Sequence, residues 1–100
     1  MSTKLSYKIT ASRLIATRPV IVTSYTLASS SCEATLTLYD ADHEIDPAAE
    51  AAARVLACYQ AQPNQQRPRG TCAILARRGV YAKLTGDGYP IAWVTIQEKA

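Results

Sequence analysis

The stretch of this chain richest in groups that could do chemistry runs Asp40-Ala41-Asp42-His43-Glu44-Ile45-Asp46. Carboxylates at alternate positions of an extended segment share one side. Hard oxygen donors gathered that way could hold a divalent cation. A calcium loop of the EF-hand kind needs Gly at its sixth position and a bidentate Glu at its twelfth. Counted from Asp40, those places hold Ile45 and Ala51, and Glu50 falls one residue early. The favoured expectation is a solvated acidic loop that caps the next element, and no metal site is assigned.

Other reactive side chains are sparse. His43 is the single histidine. It could take a proton as a general base, but no Ser or Cys in a nucleophile motif accompanies it, so a surface histidine is expected. Cys58 and Cys72 lie in apolar runs and should behave as small buried hydrophobes. Cys32 follows Ser29-Ser30-Ser31 and should be more exposed. Three cysteines without a C-x-x-C pair fit a reducing compartment and no disulfide framework. With one histidine they leave no zinc site. Gly86-Asp87-Gly88 predicts a hairpin turn; it is no phosphate-binding glycine loop. The expectation is a protein that is not an enzyme, with no catalytic residues and no cofactor.

Charge is segregated along the sequence. Asp40, Asp42, Glu44, Asp46 and Glu50 are five of the eight acids, and Arg67, Arg69, Arg77, Arg78 and Lys83 are five of the eleven Lys and Arg residues. Both groups could be plain solvated loops. They could also be complementary patches that dock copies head to tail or fix a partner's register. On that second reading the candidate interface is Asp40, Asp42, Glu44, Asp46, Arg67, Arg69, Arg77 and Arg78. A phosphate-binding strip would want interleaved aromatics, and only Tyr81 qualifies, so nucleic acid is not an expected partner. A binding module using Trp93, the tyrosines and the arginine loop to take a glycan or nucleic acid is the alternative, although Trp93 in mid-strand is expected in the core.

The elements that would carry these residues are mostly strands. One hundred residues, 48% hydrophobic and 19% charged, with net charge +3, make one globular domain over 1–100. Apolar residues fall on every second position over 5–11, 34–39 and 80–85, the period of a half-buried strand. The segment 20–27 is β-branched and aromatic, 71–75 is a short apolar run, and 91–96 closes the series. Asp46 as N-cap, Pro47 at the first helical position and the alanines behind it predict a short helical turn over 47–53. Glu50 and Arg54 are spaced as an i,i+4 pair. Residues 54–60 suit a strand or a continuing helix. Residues 60–70 predict a long polar loop. The fold expected is all-β: an antiparallel β-sandwich or small jelly roll of six to eight short strands. The chain opens without the apolar core of a signal peptide. It has no apolar run approaching the ~18 residues of a membrane span.

Five segments in order also carry a resemblance. They are Lys8-Ile-Thr-Ala-Ser12, then Val20-Ile-Val-Thr-Ser24, then Ala34-Thr-Leu-Thr-Leu-Tyr-Asp40, then Gly79-Val-Tyr-Ala-Lys-Leu-Thr-Gly86, and a closing Ile91-Ala-Trp-Val-Thr-Ile96. In this order, over nearly the whole chain, they resemble small β-sandwich virion structural proteins of tailed bacteriophages, of the decoration, head-spike or tail-associated type. The Ala-rich segment 46–53 and the loop at 60–70 depart from that pattern. The resemblance implies a non-enzymatic building block made in the host cytoplasm and carried on the virion. It would be a homo-oligomer contacting other virion proteins, with no membrane partner.

Overall fold

The computed structural model describes residues 4–29, 32–69, 72–87 and 89–98. Nine strands run through them: β1 (Lys4–Ile9), β2 (Arg13–Ala16), β3 (Val20–Ala28), β4 (Ala34–Tyr39), β5 (Val55–Ala61), β6 (Gln66–Arg69), β7 (Ile74–Ala76), β8 (Val80–Gly86) and β9 (Ile91–Glu98). They form two antiparallel sheets. One has the order β1-β9-β3-β6, with β7 also on β3; the other runs β2-β8-β4-β5. The two sheets face each other as a sandwich, and the expected all-β class holds.

Period two makes the core. Leu36 and Leu38 of β4, Val80 and Ala82 of β8, and Ala92, Val94 and Ile96 of β9 all point inward and are buried. Their alternate neighbours Thr35, Thr37, Lys83 and Thr95 are half-exposed. In β3 the inward set changes phase, from Val20 and Val22 to Tyr25 and Leu27. A bulge between Val22 and Ser24 causes the change. One extra residue on a strand moves everything after it to the other face. The extra residue, Thr23, is buried and donates its hydroxyl to the Thr95 carbonyl at 3.3 Å. Tyr25 and Tyr59 meet edge to face at 5.1 Å, joining the two sheets through the core.

Several expectations need correction. β8 and β9 lie in different sheets, so Gly86-Asp87 leads a crossover, not a hairpin; Gly88 lies outside the described residues. Residues 60–70 are not one long loop. β5 continues to Ala61, and a turn closes with the Gln65 N–H on the Gln62 carbonyl at 3.1 Å. Pro63 and Asn64 fill its centre, with Asn64 at φ +59°, the sign a type II turn requires there. β6 then pairs with Tyr25–Ala28 of β3. β2 was not anticipated, since its Arg-Leu-Ile-Ala is too short to show a period. Trp93 is not in the core: it projects from the outer face of β9, 37% exposed, between Lys8 and Thr26 on the flanking strands. Cys58 is exposed rather than buried, while Cys32 and Cys72 are intermediate. The strand expected over 71–75 begins at Ile74, with Thr71 outside the described residues.

Candidate functional site at Asp40

The site begins with an aromatic pair on the wrong side of a sheet. Tyr39 and Tyr81 lie opposite each other on β4 and β8, on the outer face, with ring centroids 6.3 Å apart and planes 26° from parallel. Left bare, two such rings would expose a large apolar area to water. Residues 41–53 fold back to cover them. Ala41 and Ile45 are buried against the tyrosines, and Leu14 and Ala53 complete this second, smaller core.

The cover has its own local grammar. Asp46 is the N-cap, its carboxylate accepting the Ala48 N–H at 3.0 Å, and Pro47 stands at the first helical position. The turn is 3₁₀ over Pro47–Ala52, with i→i+3 bonds from Ala49 N–H to the Asp46 carbonyl and from Ala53 N–H to the Glu50 carbonyl. The expected helical turn is therefore present, and the chain is extended after it. The expected Glu50–Arg54 pair is absent among the described residues. With three residues per 3₁₀ turn and an extended Ala53, positions i and i+4 do not face each other. Glu50 instead reaches across the sheet and accepts from Nζ of Lys83 on β8. That bond, against a smaller opposing effect of burial, holds the Lys83 ammonium above its usual range.

Asp40 anchors the other end. Its side chain is only 4% exposed. Oδ1 accepts the Arg78 N–H at 2.8 Å; Oδ2 accepts the Arg77 N–H at 3.2 Å and Nη1 of Arg54 at 3.0 Å. Burial pushes the Asp40 carboxyl up. The N–H groups of Arg78, Arg77 and Gly79 and the Arg54 charge together outweigh burial, and the group ends below its ordinary value. One buried carboxylate thus ties the turn between β7 and β8 to the root of the 41–53 cover. Gly79 is required where these segments cross: a Cβ there would lie 2.2 Å from the Ala16 carbonyl oxygen and 2.7 Å from that of Ala41.

These contacts leave a groove of about 450 Å³. Its wall is apolar, built by Ala41, Ile45, Ala49, Ala52 and Ala53; Arg54, Arg77, Arg78 and His43 form its polar rim over Asp40. The side chains of Arg77 and Arg78 are not used by Asp40, which takes only their main-chain N–H groups. Among the described residues neither guanidinium makes an ion pair. Asp42, exposed and outside the groove's lining, hydrogen-bonds Nδ1 of the rim residue His43 at 2.9 Å. That bond chiefly, with the nearby Arg78 charge adding to it, lowers the Asp42 carboxyl. Guanidinium forks recognise carboxylates and phosphates in bidentate geometry. The groove therefore offers cationic donors beside an apolar wall. No Ser, Thr or Cys lines it to serve as a nucleophile.

The candidate interface residues fall into distinct places. Asp40 is buried and spent on internal bonds, so it is not a surface charge as expected. Asp46 is a helix cap. Asp42 and Glu44 are exposed near the groove. The four acids do not share one side, because only Asp40 turns inward and residues 41–46 form no strand. No three of the His, Cys, Asp and Glu side chains group as metal ligands would, among the described residues. Arg77 and Arg78 meet at the groove with Arg54, which sequence reasoning left out. Arg67 and Arg69 sit in β6 of the other sheet, opposite Leu27 and Tyr25; their side chains lie outside the described residues. The acidic and basic segments are thus not two remote patches, since Asp40, Asp42, Arg77 and Arg78 converge on one site. Arg54 and Ile45 gave no periodic signal; the nearest cue was that both flank the capped alanine run.

Compared with protein-family models the chain matches none, and no curated protein matches it.

Proposed function

We propose that this protein is a non-enzymatic structural component of a bacteriophage virion, assembling as a multimer on the capsid or tail. The observation that carries the reading is the groove at Asp40. Arg77 and Arg78, both exposed and with main-chain N–H groups bonded to a buried carboxylate, stand beside an apolar wall. Such a surface suits a protein segment with a carboxylate and a small apolar side chain. The sandwich fold is consistent with the particle setting, which rests on the resemblance of the five sequence segments to small virion proteins. The double substitution Arg77→Glu with Arg78→Glu tests it. Assembly should be lost while the fold survives, because the bonds to Asp40 come from main-chain N–H groups. Unchanged assembly in the double variant would remove the groove from the account.

Trp93 favours a second reading, a binding module for a glycan or nucleic acid. The residue is 37% exposed on the outer face of β9, opposite Lys8, where a sugar or base could stack. A shift of its fluorescence on adding oligosaccharides or single-stranded oligonucleotides would support that reading, and an unchanged spectrum would count against it.

A further inference from the structure

Among the described residues of β1, β3 and β9, Trp93 is the one aromatic side chain turned outward. Tyr25 is buried, and Tyr7 is in the inward phase of β1, opposite buried Val94. A lone exposed apolar residue needs no explanation by itself. Its neighbours give this one a meaning. Antiparallel register sets Lys8 opposite Trp93, Ser6 opposite Thr95 and Lys4 opposite Gln97. Opposed residues stand side by side, and alternate positions of a strand share a face. The outer face of β1 and β9 is therefore a lattice of these six side chains. Lys4, Ser6, Lys8 and Trp93 are exposed, and Thr95 and Gln97 are half-buried.

The lattice surrounds one ring with two hydroxyls, an amide and two ammonium groups. Ser6 Oγ and Thr95 Oγ1 hydrogen-bond each other at 2.9 Å, and each hydroxyl keeps capacity for a further partner. Lys4 and Lys8 stand four residues apart on one strand, about 13 Å. Among the described residues neither makes an ion pair. No carboxylate opposes them on this face. The one acid of β1, β3 and β9 is Glu98, and it pairs with Arg18.

We infer that this face binds an acidic glycan, a chain of pyranose rings that bear carboxylates. The C–H face of a pyranose is apolar and can lie flat on an indole. Its hydroxyls suit Ser6, Thr95 and Gln97. Its carboxylates complement the ammonium groups of Lys4 and Lys8. Single-stranded nucleic acid also offers rings and negative charge, but its sites stack successive bases on several aromatics, and here one ring stands alone. This inference rests on the second reading above, that Trp93 serves a binding module, and narrows it to one class of ligand.

The test is titration of the wild-type protein, followed by Trp93 fluorescence, with oligogalacturonate, oligosialic acid and a hyaluronan fragment. Methyl-esterified oligogalacturonate and oligothymidylate are titrated beside them. Trp93 is the single tryptophan, so the signal comes from this face. The expected result is a saturable shift with at least one acidic glycan, weakened by salt, and none with the neutral ester or oligothymidylate. Lys4→Gln with Lys8→Gln should weaken that binding about tenfold, within the range of two exposed ion pairs. Should the variant fail to fold, the comparison of acid with ester still decides. A shift with the ester equal to that with the acid, or undiminished affinity in the folded variant, overturns the inference. A shift with oligothymidylate alone overturns it and leaves Trp93 a binding site. No shift with any ligand overturns this inference and the second reading together.

Discussion

Asp40 accepts the main-chain N–H of Arg78 at 2.8 Å across thirty-eight residues of sequence. This bond, with those from Arg77 and Arg54, makes one carboxylate the joint between the cover over Tyr39 and Tyr81 and the turn that presents the arginines. Replacing it with an amide, Asp40→Asn, keeps the shape but turns one acceptor oxygen into a donor facing N–H groups. The expected loss of stability is about 2–3 kcal/mol, since charge-assisted bonds to a buried acceptor are expensive to break. Urea denaturation followed by Trp93 fluorescence would measure it.

The same carboxylate sets an acid limit. Its folded-state pKa lies below the ordinary 3.8. The ionised form is therefore favoured by folding, and its contribution is fully present above pH 4. It is lost as pH falls through the folded-state value. Wild-type melting temperature should drop steeply below pH 4, and the drop should be shallower in Asp40→Asn. Equal slopes in the two proteins would show that another group sets the acid limit.

Gly79→Ala should be among the most damaging single changes. The added methyl would sit 2.2 Å and 2.7 Å from two carbonyl oxygens, both backbone. Neither β2 nor residue 41 can retreat without disturbing the pairing of β2 with β8 or the cover. A cost of about 3 kcal/mol is expected, at the upper end for overpacking. A thermal melt of the purified variant checks it.

Ile45→Ala tests the cover. Ile45 is 7% exposed in the small core with Tyr39, Ala41 and Tyr81, and its truncation should cost about 2–3 kcal/mol. Near-ultraviolet circular dichroism should show the tyrosine environment changed, because the stacked pair loses its lid. Arg77→Glu with Arg78→Glu, by contrast, should change stability by about 0.5 kcal/mol or less, as surface substitutions do.

Much of the sandwich was legible because a period of two leaves a mark wherever one strand face is buried. Leu36 and Leu38, or Ala82 and Leu84, could hardly point elsewhere. The pattern failed where both phases carry apolar side chains. In β9, Ile91 and Trp93 compete with Ala92, Val94 and Ile96, and residue types alone did not choose the face of Trp93. Cys58 misled for the same reason, since its exposure follows from pairing with outward-facing Thr37. β6 is polar and becomes a strand because the Tyr25–Ala28 edge needs a partner, a tertiary cause that propensity does not register. The groove was half legible. The capped 3₁₀ turn could be read locally, but nothing separates Asp40 from Asp42 until the turn at Arg77 and Arg78 is folded against it.

The central claim is that the arginine-rimmed groove mediates assembly, and the most direct measurement is solution mass by light scattering after gel filtration. It should be run for the wild type and for Arg77→Glu with Arg78→Glu, at low and high salt. A discrete wild-type oligomer that loosens as salt screens the guanidinia is expected, with a folded variant of lower mass under both conditions. A variant with the wild-type mass, or a wild type that is monomeric at low salt, would contradict it.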